Sequence, residues 1–279
     1  MTAAVVTGAG RGLGREIALL LGSRGHHVVA TDVDGHAAAG TAAAVEDSGG
    51  TASARTLDVR DEGACRAVAQ GAVAETGHLA VWVNNAGVIV TGPAWEQDAA
   101  TRRLMVEVNG LGTMNGTLAA LGPMRAQRAG HVVNIVSLAG LIGVPGETVY
   151  SASKHAALGF SLATLSDLRL AGVAGVHVSC VCPDGIWTPM LHDKLDDAAA
   201  ALSFSGRLLQ PSDVVRAVDR VLDKPRPVIS VPAWRGAQVR LLDALPGLAV
   251  RLAPGIQRLA RWQQRRYARR LTPPAESPR

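Results

Sequence analysis

Short apolar runs alternate along this chain with longer segments in which apolar residues recur at helical spacing. The runs predict strands at 3–7, 27–31, 52–57, 80–84, 131–136, 176–182 and 227–231, and the longer segments predict helices at 12–23, 36–47, 61–76, 99–127, 149–171 and 211–223. The strand runs are almost continuously apolar, as in His131-Val132-Val133-Asn134-Ile135-Val136. Strands buried on both faces have that composition. Strand–helix alternation over most of the chain predicts an α/β protein with a doubly wound parallel sheet of about seven strands. No internal repeat is visible, and no linker precedes about residue 232.

Composition narrows this picture. A chain of 279 residues with 3% aromatics can build one large domain whose core is made of small aliphatic side chains. Met1 leads almost at once into Ala3-Ala4-Val5-Val6-Thr7-Gly8, which reads as a first strand and not as a signal peptide. Three cysteines without a Cys-x-x-Cys spacing, Cys65, Cys180 and Cys182, predict neither a disulfide framework nor a metal site. A reducing, cytoplasmic setting fits them. The net charge of +5 is uneven: residues 235–279 hold ten arginines against Asp243 and Glu276, a net of +8, leaving −3 for residues 1–234. The basicity belongs to the tail, so it does not predict nucleic-acid binding by the main domain.

Candidate chemistry begins at the first strand. It runs into Thr7-Gly8-Ala9-Gly10-Arg11-Gly12-Leu13-Gly14 and then an amphipathic helix. Strand, glycine-rich turn and helix in that order suit a pyrophosphate. Glycines let the backbone approach it, and the helix N-terminus offers free N–H groups. The second strand ends at Asp32, 18 residues beyond Gly14, where a carboxylate can accept hydrogen bonds from an adenine ribose and repel a 2′-phosphate. Asp32 therefore predicts NAD over NADP, although Arg11 and Arg15 lean the other way. Asp34 reads as a helix N-cap.

Tyr150 and Lys154 stand four residues apart, on one face of a helix. An ammonium beside a phenol favours the phenolate. Together with the glycine turn, with Asn84-Asn85-Ala86-Gly87 after the fourth strand, and with Ser137 at the end of the fifth, the pair resembles the short-chain dehydrogenase/reductase family over residues 3 to about 231. The resemblance implies a Rossmann-like fold, an oxidoreductase activity, a homodimer or homotetramer, and roles for particular positions. Tyr150 would be the acid–base residue. Lys154 would lower its pKa and bond the nicotinamide ribose. Ser137 would bond the substrate oxygen, and Asn109 would hold a water linking Lys154 to solvent. Asp58 and Val59 would contact adenine, and Asn85, Ala86 and Gly87 would line the cofactor cleft, with Asn84 more structural. An NADPH-linked biosynthetic ketoreductase and a non-catalytic cofactor-sensing or scaffold protein are the competing functions. Retention of Asn109, Ser137, Tyr150 and Lys154 argues against the last.

One stretch departs from the family pattern. Pro183-Asp184-Gly185-Ile186-Trp187-Thr188 puts Asp184 where glycine is usual. Pro183, Gly185, Ile186 and Thr188 remain cofactor candidates, and Asp184 is read as a turn residue with positive φ or, alternatively, as a polar group facing substrate. Substrate residues are expected from Leu138, Ala139, Gly140, Val144, Pro145, Glu147, Ile186, Trp187 and Met190. None is basic, and Glu147 reads as a surface charge. A small hydrophobic alcohol or ketone is the expected substrate, under a mobile helical lid at 191–206. Beyond the domain at 1–234, residues 235–279 form a basic, amphipathic helical extension. Pro246 and Pro254 are expected to break it into short helices, and Thr272–Arg279 reads as disordered. The extension either packs on its own domain or a sister subunit, lies on an anionic membrane surface, or covers the substrate cleft.

Overall fold

The computed structural model of the protein describes residues 1–271, so the expectation for Thr272–Arg279 lies outside the described residues. Seven parallel strands form one sheet: β1 (Ala3–Thr7), β2 (His27–Asp32), β3 (Thr51–Thr56), β4 (Leu79–Asn84), β5 (Gly130–Ile135), β6 (Val176–Pro183) and β7 (Val228–Val231). Their order in space is β3-β2-β1-β4-β5-β6-β7. Between them run α1 (Gly12–Ser23), α2 (Gly35–Asp47), α3 (Glu62–Thr76), α4 (Ala99–Met105), α5 (Gly112–Gln127), α6 (Thr148–Leu170), α7 (Pro189–His192) and α8 (Pro211–Asp223). After β7 come α9 (Ala233–Asp243) and α10 (Pro246–Leu271). The architecture is the Rossmann-like, doubly wound sheet that the alternation predicts.

Strand pleating sorts the core into two layers. Ala4 and Val6 of β1 pack with Leu13, Ile17 and Leu21 of α1 and with Val214 and Val218 of α8. Ala3 and Val5 point the other way, into Cys65 and Val68 of α3, Met124 of α5 and Leu168 of α6. The strand order reverses between β1 and β4, and chains diverging there leave a crevice at the carboxyl ends of the strands. A buried amide net fixes that edge. Asn84 accepts from the Trp82 indole (2.8 Å) and donates to Asn134 (2.8 Å) and Thr117 (3.1 Å). Each buried polar atom stranded by loss of Asn84 costs about 1–3 kcal/mol.

Two helices differ from expectation. The segment 99–127 is not one helix: a π-helical stretch, Val106–Leu111, separates α4 from α5 and contains Asn109. Such single wide turns recur at functional sites. Conversely, Pro254 does not break the extension. It sits inside α10, which runs unbroken for 26 residues. Packing supplies the reason. Ala260 and Gln264 of α10 are buried, and the Gln264 amide donates to the carbonyls of Lys194 (2.9 Å) and Asp197 (2.8 Å). Tertiary contacts of this kind outweigh one missing N–H.

Candidate active site

The crevice is a cleft of about 880 Å³ that begins at the glycine turn and ends under α10. At the β1 end, Gly8, Arg11, Gly12, Leu13 and Gly14 line it. A Cβ on Gly14 would stand 2.1 Å from the Gly8 carbonyl, so the turn closes only without a side chain there. The Asn85 amide clamps the same turn, donating to the carbonyls of Thr7 (3.1 Å) and Gly8 (2.9 Å). No side chain caps the N-terminus of α1, and its first turn has no acid. Those N–H groups and the partial positive charge behind them suit an anionic group. Asp32 sits beside the turn. Its carboxylate accepts from the N–H of Gly10 (2.9 Å) and of Asp34 (3.1 Å). Asp34 caps α2, as read from the sequence. Asp58, Val59, Asn85, Ala86 and Gly87 complete this end of the cleft. Arg60, hydrogen-bonded to Asp58, holds its carboxyl below the usual range. A dinucleotide fits these groups: a glycine-rich turn, an open helix end and a carboxylate.

Ser137, Tyr150 and Lys154 converge further along, where β5 and α6 face each other. Ser137 lies two residues beyond β5 and caps the short 3₁₀ turn Leu138–Gly140, its Oγ accepting from the Ala139 N–H (3.1 Å). Capping a turn and facing the cleft are thus compatible. The Lys154 ammonium is buried, donates to the Ile135 carbonyl (3.0 Å) and lies 5.7 Å from the Tyr150 ring centroid. Burial draws its pKa down to about 8. Burial also pushes the Tyr150 phenol above its ordinary value, the Glu147 carboxyl pushes the same way, and the Ser137 hydroxyl opposes both. The expectation that Lys154 leaves Tyr150 easier to ionise is therefore overturned: among the protein's own groups desolvation wins, and the neutral phenol is favoured. Asn109 lies behind this cluster and does not line the cleft. Its amide exchanges hydrogen bonds with the backbone of Val88 (2.8 Å each way) and donates to Ser153 (3.0 Å).

The substrate end holds the corrections. Leu138, Val144 and Met190 line the cleft, as expected, with Pro183, Gly185, Ile186 and Thr188 beside them. Trp187 does not. Its ring packs on His192 (centroids 4.0 Å apart) and joins Leu191, Phe204 and Tyr267 in a separate apolar cluster. The backbone N–H of Trp187 bonds the Leu209 carbonyl (2.8 Å). Asp184 has no positive φ, a conformation that Arg128 alone adopts among the described non-glycine residues. Its carboxylate instead accepts from Arg235 of α9 (2.7 Å), and the pair is largely buried. Glycine is still required one position on, since a Cβ on Gly185 would stand 2.0 Å from the Ser203 carbonyl. Arg235, Gln238 and Leu242 of α9 and Ala249, Ala253 and Ile256 of α10 complete the cleft wall, so a basic residue, Arg235, does border its substrate end. Residue types alone could not reveal this. The contact depends on how the extension folds back over the 3₁₀ turn Ala198–Phe204 that occupies the expected lid.

Glu147 is not a surface charge. It is 3% exposed, faces the cleft, and accepts a short hydrogen bond from Ser203. Burial raises its carboxyl to about 7, and the Asp184 and Asp197 carboxylates add to the rise, while the Ser203 hydrogen bond opposes it. Its ordinary value is 4.5, so the folded chain prefers the protonated form. Stability from this group is therefore full below about 4.5 and is lost as pH climbs through about 7. The loss is on the order of 3 kcal/mol. Glu147→Gln keeps an acceptor for Ser203 and carries no charge. Urea melts at pH 5 and pH 8 should show the stability of the wild type relative to the variant falling across that interval, since His131 and the other titrating groups act on both proteins alike. An unchanged difference between the two proteins would refute this assignment.

The comparisons agree with the fold. A doubly wound sheet with a glycine turn, an acid closing β2 and a Ser–Tyr–Lys cluster defines a dinucleotide-dependent class of protein. Residues 2–199 match the family model described as short chain dehydrogenase. The chain is 33% identical over 219 residues to cyclopentanol dehydrogenase of Comamonas sp., covering 77% of this chain and 86% of that protein. It is 35% identical over 219 residues to cis-4-hydroxycyclohexanecarboxylate dehydrogenase of Sinomonas cyclohexanicum, with the same shares covered. A crystal structure of a short chain dehydrogenase/reductase from Burkholderia phymatum in complex with NAD superposes with a TM-score of 0.81 at 29% identity, covering 89% of this chain and 95% of that one. The chain belongs to the short-chain dehydrogenase family of oxidoreductases.

Proposed function

We propose that this protein interconverts a hydrophobic secondary alcohol and its ketone with NAD as the redox partner. The convergence of Ser137, Tyr150 and Lys154 in the cleft that also holds the glycine turn and Asp32 carries the proposal. Bound NAD would supply the acceptor for the hydrogen and electron pair leaving the carbinol carbon. Everything else falls to the chain. The Asp32 carboxylate receives ribose hydroxyls and repels a 2′-phosphate, and the Gly8–Gly14 turn with the open end of α1 receives the pyrophosphate. Ser137 donates to the substrate oxygen and steadies the charge developing on it. Tyr150 gives a proton to that oxygen when a ketone is reduced and takes one when an alcohol is oxidised. Its neutral phenol is the donor form. Lys154 stands beside that phenol, its ammonium 5.7 Å from the ring centroid, and burial draws its own pKa to about 8.

Leu138, Ile142, Val144, Met190, Leu242 and Ile256 give the substrate end an apolar wall. The one cation there, Arg235, is already bound to Asp184, so no free charge invites an anionic substrate. An alicyclic secondary alcohol suits such a wall, and one relative is named for cyclopentanol. A screen of cyclopentanol, cyclohexanol, steroid and linear secondary alcohols, linear diols and hydroxy acids, read as NAD reduction by absorbance, tests this. Cyclic alcohols should exceed linear diols and hydroxy acids in kcat/KM by about tenfold or more. A preference for hydroxy acids would contradict the proposal.

A further inference from the structure

The extension carries more exposed apolar side chains than any other part of the fold, and they are arranged. Helix α10 has seven arginines and no acidic residue between Pro246 and Leu271. At 3.6 residues per turn it presents three faces. Ala249, Ala253, Ile256 and Ala260 face the cleft. Leu248, Leu252 and Leu259 form a stripe beside that face and stay exposed, Leu259 at 61%. Trp262, 55% exposed, continues the stripe toward the arginines, and the Arg266 guanidinium lies 4.7 Å from its ring. Arg251, Arg258, Arg261 and Arg265 occupy the side away from the cleft. Helix α9 repeats the plan: Val239 and Leu242 line the cleft, and Trp234 and Leu241 are exposed next to them. Val250, Ile256 and Leu259 both line the cleft and are exposed, so the rim of the cleft and the apolar stripe are one surface.

We propose that α9 and α10 seat this protein on an anionic lipid surface, with the apolar rim of its cleft against the lipid. Charge selects that occupant. A second copy of the chain would bring two copies of the acid-free, arginine-rich α10 together, whereas anionic headgroups neutralise it while the stripe enters the acyl boundary. Among the described residues no helix is long and apolar enough to cross a membrane, so the contact is peripheral. The part of the inference that concerns substrate rests on the proposed function: a hydrophobic alcohol dissolved in the bilayer would meet the cleft at its rim.

Flotation of the full chain with vesicles tests this directly. The chain should float with phosphatidylcholine vesicles containing phosphatidylglycerol and bind vesicles of phosphatidylcholine alone at least about tenfold more weakly. Two sets of substitutions avoid the cleft wall. Arg258→Gln, Arg261→Gln and Arg265→Gln together should weaken binding about a hundredfold. Leu248→Ser, Leu252→Ser and Trp262→Ser should abolish it, with thermal melting and NAD affinity unchanged as the check on folding. Equal binding to both vesicle types, binding to neither, or unaltered binding by well-folded variants would overturn the proposal. A chain that floats but oxidises no alcohol would leave the docking intact and count against the proposed activity, so the two failures are distinguishable.

Discussion

Replacing Tyr150 by phenylalanine is expected to lower kcat/KM for the best alcohol by about a thousandfold, or roughly 4 kcal/mol of transition-state stabilisation. Affinity for NAD should stay within about threefold, because the ring and its place in the cleft wall remain. The physical reason lies in where Tyr150 sits. Ser137 approaches it from the end of β5, and Lys154 lies one helical turn further along α6, 5.7 Å from its ring centroid. Without the hydroxyl no other proton donor in the cluster replaces it. Ser137 donates a hydrogen bond to the substrate oxygen but keeps its proton, and the Lys154 ammonium bonds the Ile135 carbonyl. Steady-state kinetics with a fluorescence titration of NAD would check both halves of this expectation. Turnover near the wild-type rate would remove Tyr150 from the mechanism.

The second large effect concerns cofactor choice. Asp32→Asn is expected to lower the preference for NAD over NADP by about a hundredfold in kcat/KM. Like charges juxtaposed across a binding surface cost several kcal/mol, and the amide removes the charge alone. An asparagine oxygen can still accept from the Gly10 N–H that Asp32 now receives at 2.9 Å, so the glycine turn keeps its shape. Arg11 lines the same end of the cleft and becomes available to a 2′-phosphate once the carboxylate is gone. Measuring kcat/KM for both cofactors with wild type and variant decides it. An unchanged ratio would show that Asp32 does not face the adenine ribose.

Much of this was readable from the chain, and the misses share a cause. Strand runs such as His131–Val136 identify themselves because burial on both faces demands an apolar residue at nearly every position. The glycine turn and Asp32 are legible because their chemistry is local: a turn, a helix end and a strand end follow one another in sequence. Glu147, Asp184, Trp187 and Pro254 mislead because their environments are made by distant residues. Glu147 is buried by the turn that carries Ser203. Asp184 is neutralised by Arg235, 51 positions on, and so needs no special backbone. Trp187 turns from the cleft toward His192, Phe204 and Tyr267. Pro254 is tolerated because α10 is held from outside by Gln264 and Tyr267. The fate of Tyr150 is the instructive case. Pair spacing alone favours an eased phenol, but the spacing carries no information about desolvation, which here is the larger effect.

The central claim is that Tyr150 and its neighbours serve a direct transfer between a carbinol carbon and NAD. It is tested most directly by supplying the best alcohol from the screen with deuterium on the carbinol carbon. The account requires one deuterium per turnover on the nicotinamide ring of the NADH formed, seen by mass spectrometry, and none with Tyr150→Phe in the same interval. Ketone formed by the wild type without label in the NADH would contradict it.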